Sequence, residues 1–264
     1  MTAWQAALLG LLQGVTEFLP VSSSGHLALA QMLIPGFEQP GVVFDAILHV
    51  GTALAVVWYE RRQLRHWFGS IEGRRLIGLL VLGTFATAAV ALPLRHVAER
   101  AFTMPIWVGL FLILTGVIVG STRFLSGGGR GEASTTWRQA AVMGAAQGLA
   151  IFPGLSRSGL TIATGLGAGL ERGWVARFSF LLSVPAIAGA TLAQLVEARA
   201  DLATVGAGFW LACLLGAAAA GGSGYLALRI VIRTVTSSLF HRFAWYCVPL
   251  GLVVLVVMMV GGGS

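Results

Sequence analysis

Within its first 26 residues the chain sets out a carboxylate, a run of hydroxyls and an imidazole: Glu17, then Ser22, Ser23 and Ser24, then His26. A carboxylate accepts and returns protons or ligates a hard cation, and a serine hydroxyl relieved of its proton attacks phosphorus. Gln13 stands four residues before Glu17, so on a helix the two share a face that points toward the serines. Much later in the chain Arg157 sits between Ser156 and Ser158, with Thr161 one helical turn on. A guanidinium grips a phosphate through two parallel hydrogen bonds, and hydroxyls around it add donors. Glu17 can therefore serve as general base, general acid or magnesium ligand, and His26 can activate a hydroxyl or attack phosphorus directly. Plainer readings stand beside these. Small residues at a tight turn also pack membrane helices closely, and an arginine at membrane depth can be the structural partner of an acid such as Glu17. Asp45 and His49, an i,i+4 pair, either line a cavity mouth or interact with each other, and Glu60, Arg61, Arg62 and Arg65 read as a solvated flank.

The two groups of residues are copies of one segment. Gly10-x-x-Gln13-Gly14-x-x-x-Phe18-x-x-x-Ser22-x-Ser24-Gly25 recurs about half the chain later as Gly144-x-x-Gln147-Gly148-x-x-x-Phe152-x-x-x-Ser156-x-Ser158-Gly159. The likeness continues weakly downstream, where Phe44 and Leu48 align with Phe178 and Leu182. The copies differ where chemistry is possible: Ile151 replaces Glu17, and Arg157 replaces Ser23. Pro20 breaks the first apolar stretch and Pro153-Gly154 the second, so each reads as a re-entrant helical hairpin, over 2–34 and 137–170. In each, a helix ends before the proline and the next begins at serines, which are favoured N-caps. Free backbone N–H groups at such helix starts attract anions, and two tips meeting in one cavity would make a phosphate pocket.

Steps outward from the tips lead to a membrane. With 56% hydrophobic residues, 10% charged residues and a mean hydropathy of +0.84, the composition excludes an ordinary soluble globule. Six weakly charged runs, at 42–59, 76–92, 105–122, 175–196, 202–228 and 243–260, each approach the roughly 20 residues of a spanning helix. The fold class expected is an all-α polytopic membrane protein, with six transmembrane helices plus two re-entrant hairpins in an inverted-topology repeat. Lysine is absent, so the net charge of +7 comes from arginine, and the distribution is uneven. Thirteen arginines fall in 60–75, 123–138, 172–177 and 229–242, against three in 93–104 and 197–204, which makes the first side cytoplasmic. The basic balance thus reports topology and calls for no nucleic acid. Three spans, an odd number, separate the copies, so they must enter the membrane from opposite faces. Repeats of 1–122 and 137–261 are joined by a cytoplasmic linker, 123–136, containing Gly127-Gly128-Gly129; the closing Gly-Gly-Gly-Ser reads as a loose tail. The first arginine is Arg61, so no basic segment precedes the first apolar run and no cleaved signal peptide is expected. Cys213 and Cys247 read as buried thiols, and Trp58, Trp107, Trp137, Trp174 and Trp245 as an interfacial belt.

The segments Gln13-Gly-Val-Thr-Glu17-Phe-Leu-Pro-Val-Ser-Ser-Ser-Gly-His26 and Pro153-Gly-Leu-Ser-Arg-Ser-Gly-Leu-Thr161 resemble the two signature motifs of the bacterial undecaprenyl-pyrophosphate phosphatases, the bacitracin-resistance membrane proteins. The resemblance extends through Phe178-Ser-Phe-Leu-Leu-Ser-Val-Pro185 and the overall length. It implies removal of the terminal phosphate from a C55 polyprenyl diphosphate, giving the monophosphate carrier of peptidoglycan and other envelope polymers. It also implies a divalent cation, magnesium or calcium, a site open to the periplasmic side of the inner membrane, and a tendency to form a homodimer. By motif position the catalytic glutamate maps to Glu17, the histidine to His26, the motif serine to Ser23 and the phosphate-binding arginine to Arg157. Ser22, Ser156, Ser158 and Thr161 map to supporting phosphate contacts, alongside which we place Gln13 and Ser24. Many members carry Glu at position 13; Gln13 cannot be an acid, which leaves that role to Glu17.

Two other classes of function fit parts of the pattern. A transporter or flippase would move a polyprenyl phosphate lipid without cleaving it, and inverted repeats with half-helices suit one. Against it, Glu17, Ser23 and His26 crowd onto one copy only. A non-catalytic antibiotic-binding or scaffold protein would be indifferent to loss of Glu17 or Arg157.

Overall fold

The structure is a computed structural model and describes residues 1–34, 42–202 and 205–261. The start of the expected span at 202–228 and the closing Gly-Gly-Gly-Ser touch residues outside these ranges. The described residues are helical, with no strand beyond an isolated bridge between Arg130 and Leu170.

The first hairpin is α1 (Ala3–Phe18) and α2 (Ser23–Leu33). Helix α1 stops where it does because Pro20 drives the preceding residue out of the helical region: Leu19 is extended, with φ −63° and ψ 143°. Three long helices follow: α3 (Val42–Trp67), α4 (Ile71–Phe102) and α5 (Pro105–Ser121). The second half repeats the order with α6 (Trp137–Leu149) and α7 (Arg157–Gly167) as the hairpin, then α8 (Arg172–Glu197), the short α9 (Arg199–Leu202), α10 (Ala207–Thr236) and α11 (Ala244–Gly261). Among the described residues six helices are long and apolar enough to cross a membrane. Several outrun the apolar stretches read from sequence. Helix α4 continues through Pro93 to Phe102, since a membrane helix tolerates proline where neighbours satisfy the freed carbonyl. Helix α3 continues to Trp67 through Arg61, Arg62 and Arg65, whose long stems let the charge reach the headgroup layer.

The packing is consistent with the repeat. Both hairpins open with the same capping box, Thr2 with Gln5 and Thr136 with Gln139. Helix α1 lies along α10, and α6 along α4, so each hairpin is clasped by the opposite half. Both seams close on glycine. A Cβ on Gly10 would come within 2.2 Å of the Gly216 carbonyl oxygen, and one on Gly144 within 2.1 Å of that of Gly83. Helix α3 packs between α8 and α10, and α5 against α11. Phe44, Leu48, Phe178 and Leu182, aligned by the repeat, are all fully buried, and Phe18 meets Phe180 edge-to-face at 5.3 Å. That contact seats the end of α1, and with it Glu17, against α8.

The arginine-rich flank is not solvated throughout. Glu60 is 4% exposed, and its carboxylate takes both Nε and Nη2 of Arg177. This corrects the reading of Glu60 as surface: an acid on a buried helix face needs a cation, and α8 brings one.

Candidate active site

The two hairpin tips meet. Ser22 caps α2 and Ser156 caps α7, each accepting a hydrogen bond from the N–H three residues on, Gly25 at 3.3 Å and Gly159 at 3.1 Å. The Ser22 hydroxyl also accepts from the Gly154 N–H at 3.1 Å, and Ser158 Oγ donates to the Leu19 carbonyl at 3.2 Å, so the tips are stitched together. Ser22 holds φ at +67°, a left-handed value costly for a residue with a side chain. Each half's last span pins the other half's tip. Thr115 on α5 donates to the Gly154 carbonyl at 2.8 Å and accepts from the Ser156 N–H, while Cys247 on α11 reaches the Pro20 carbonyl at 3.2 Å.

At this junction Glu17 gathers four partners. Its Oε1 accepts from Arg157 Nη2 at 2.5 Å, and its Oε2 from Ser23 Oγ at 2.6 Å and Gln13 Nε2 at 2.8 Å, with His49 Nε2 at 3.5 Å. The Glu17 side chain is 5% exposed and that of Arg157 13%, so the pair is largely out of water. Two polar atoms in this cluster are buried without a partner: Arg157 Nη1, a donor, and Gln13 Oε1, an acceptor. Such atoms are rare and costly, and a ligand between the tips would satisfy them; Gln147 Oε1, in the second copy, is likewise buried without a partner. Ser23 and Ser24 are half-buried at the mouth, and Ser24 Oγ lies 3.3 Å from Ser22 Oγ. Ser156, Ser158 and Thr161 are buried deeper. Their hydroxyls serve the frame: Ser156 and Ser158 approach each other at 3.2 Å, and Thr161 bonds to the Arg157 carbonyl at 2.8 Å and to Ser179. The second copy has no equivalent cluster, because Ile151 stands at Glu17's place; Gln147 there bonds to Thr87 at 3.1 Å.

The chain as a whole has relatives by sequence. A family model described as "Bacitracin resistance protein BacA" matches residues 6–253. The chain belongs to this family. Proteins named undecaprenyl-diphosphatase are similar along nearly their whole length. That of Desulfosudis oleivorans is 43% identical over 94% of this chain and 95% of its own. That of Syntrophotalea carbinolica is 40% identical over 95% and 97%, and that of Carboxydothermus hydrogenoformans 38% over 99% and 99%.

Against the BacA motifs, the structure brings Gln13, Glu17, Ser23 and Arg157 into direct contact and turns His26 elsewhere. His26 Nδ1 lies 2.8 Å from the Ser22 carbonyl, which can only accept, so Nδ1 carries a hydrogen. Its Nε2 faces the Tyr246 hydroxyl at 2.7 Å, and the two rings stack. Both nitrogens are thus engaged, while Ser23 pairs with Glu17. His49, ambiguous in sequence, resolves as a member of the site: Nδ1 is held by the Asp45 carbonyl at 2.8 Å, and Nε2 turns to Glu17. The i,i+4 spacing to Asp45 was the only local signal for it. Tyr246 and Thr115 gave no signal, being brought in by packing from distant helices.

The described residues contain no group of three or more His, Cys, Asp and Glu side chains arranged to hold a metal ion. The oxygen donors at the site are one carboxylate, Glu17, and the unpartnered amide oxygen of Gln13. This set fits a magnesium or calcium ion that draws most of its ligands from a diphosphate, as magnesium commonly does.

Proposed function

We propose that this chain hydrolyses undecaprenyl diphosphate to undecaprenyl phosphate and inorganic phosphate, recycling the carrier for wall synthesis and conferring bacitracin resistance. The observation that supports it most directly is the pairing of Ser23 and Arg157, from opposite hairpins, on one buried carboxylate. The names of the full-length relatives point the same way.

In this reading the terminal phosphate docks on Arg157, through Nη1 first, and on the N–H groups and hydroxyls of the two helix starts, Ser22, Ser24, Ser156, Ser158 and Thr161 framing the pocket. The phosphate competes with Glu17 for the guanidinium, and the released carboxylate takes the Ser23 proton across the 2.6 Å contact. Ser23 Oγ attacks the terminal phosphorus, the P–O anhydride bond breaks, and the lipid monophosphate leaves with the bond's electrons. Glu17 gives that proton up to the departing lipid phosphate; water then attacks the phosphoserine phosphorus and passes a proton to Glu17, which returns it to Ser23 Oγ as the Oγ–P bond breaks and inorganic phosphate leaves. Arg157 stabilises charge on the phosphoryl oxygens in both steps, which is most of what phosphoryl transfer requires. A magnesium or calcium ion, bound by Glu17 and Gln13 together with the diphosphate, would neutralise further charge. The lipid tail lies between helices in the bilayer, and by arginine distribution the site opens to the periplasmic face of the inner membrane. A homodimer is part of the same reading.

The test is phosphate release by purified protein in detergent, with and without chelator, for wild type and for Glu17→Gln, Ser23→Ala, His26→Ala and Arg157→Ala. Release should require the cation and should fall to background for Glu17→Gln, Ser23→Ala and Arg157→Ala. Undiminished turnover by Ser23→Ala overturns the nucleophile, and no release by wild type in detergent points instead to a carrier.

A further inference from the structure

At the arginine-rich end of the bundle, well outside the Glu17 cluster in sequence and lining, a cleft of about 810 Å³ opens between α4 and α6. Its size is that of a small-molecule pocket. Arg75, Arg130 and Arg138 line it, with Leu79, Val142 and Trp137 as its apolar part, and no carboxylate lines it. Among the described residues the ion pairs of arginine with acids involve Arg95, Arg157 and Arg177 only, so these three guanidiniums have no such partner. Arg75 is held in place by backbone carbonyls of the linker, those of Glu132 and Thr135. Arg138 lies over the ring of Trp137 at 5.1 Å, and Trp137 is 61% exposed, as a headgroup-level tryptophan is. Three arginines on one cleft with no carboxylate in its lining make a positive surface that favours an anion. Guanidinium forks match phosphate, and an apolar wall beside them matches hydrocarbon.

We propose that this cleft binds the phosphate headgroup of an anionic membrane lipid, with the chains running over Leu79 and Val142. Basic pockets between membrane helices on the cytoplasmic side are where such headgroups bind. The same chemistry is offered by an anionic phospholipid and by a polyprenyl monophosphate, and the arms of the experiment separate them.

Native mass spectrometry of the detergent-purified protein would be run with phosphatidylglycerol, polyprenyl phosphate, zwitterionic phosphatidylcholine, or inorganic phosphate. The polyprenyl arm uses an Arg157→Ala background, so that retention at the Glu17 cluster does not mask the cleft. Phosphatidylglycerol, polyprenyl phosphate or both should be retained at least tenfold better than phosphatidylcholine, the retained lipid identifying the source. Retention should drop about tenfold in the triple variant Arg75→Gln, Arg130→Gln, Arg138→Gln and less in the corresponding triple lysine variant. Phosphate release by the glutamine variant, otherwise wild type, should be unchanged, which also certifies its fold. If that variant does not fold, the exposed single substitution Arg138→Gln must still lower retention a few-fold. Equal retention of phosphatidylcholine, equal retention by arginine and glutamine forms, or binding of inorganic phosphate without either lipid overturns the proposal.

Discussion

Replacing Arg157 with lysine keeps the charge and removes the fork. Since Nη2 already serves Glu17 and Nη1 is the free donor, a single ammonium cannot reach both carboxylate and phosphate. Arg157→Lys should therefore lower kcat/KM for a polyprenyl diphosphate by a factor on the order of 10², about 3 kcal/mol; a variant within threefold of wild type would mean the fork is not used. Tyr246 acts one step further away, through the ring of His26. Tyr246→Phe keeps the stacking and drops one hydrogen bond; because His26 takes no proton in the proposed steps, the variant should lose about 1 kcal/mol of stability with kcat little changed. A tenfold fall in kcat would instead bring His26 into the chemistry. The residue-level chemistry was legible wherever the repeat made it conspicuous, by setting Glu17 against Ile151 and Ser23 against Arg157. It was not legible for His49 and Tyr246, because no sequence spacing says which face of α3 or α11 turns toward a hairpin tip.

Between elements, the seams that hold the hairpins leave no room for a side chain. Gly144→Ala would drive a methyl to 2.1 Å from the Gly83 carbonyl oxygen and force α6 away from α4, costing about 1–3 kcal/mol. Gly189 in α8 has nothing within 4 Å of where an added methyl would stand, so Gly189→Ala is the control and should be neutral or slightly stabilising. Thermal unfolding in detergent distinguishes the two; equal midpoints would mean that the α4–α6 seam is looser than its geometry. The ion pair between α3 and α8 gives a second measure. Arg177→Ala strands the Glu60 carboxylate, which is 5% exposed at its side chain, and should cost about 3 kcal/mol, near the low end for a broken buried pair because Arg177 itself is 31% exposed. Helix ends and caps were readable, since Pro20 and the serines fix them locally. Helix lengths were not: apolar runs stop at the first charge, while helices stop only when their hydrogen bonding does.

For the molecule as a whole, the arginine distribution makes a topological prediction. Ala133, in the linker, and Thr103, between α4 and α5, are exposed at opposite ends of α4. In intact cells, a membrane-impermeant thiol reagent should label Thr103→Cys and spare Ala133→Cys until the membrane is opened. The native Cys213 and Cys247 are buried and should stay silent. The reverse labelling pattern would turn the whole bundle over. The crossed clasp, α1 on α10 and α6 on α4, with Thr115 and Cys247 each holding the opposite tip, bears on how the molecule moves. A pump that see-saws needs two blocks free to tilt about a shared hinge. Here each block has its working finger gripped by its neighbour, so tilting would shear both grips together. Such gearing suits a stationary catalyst to which the lipid comes and from which it goes.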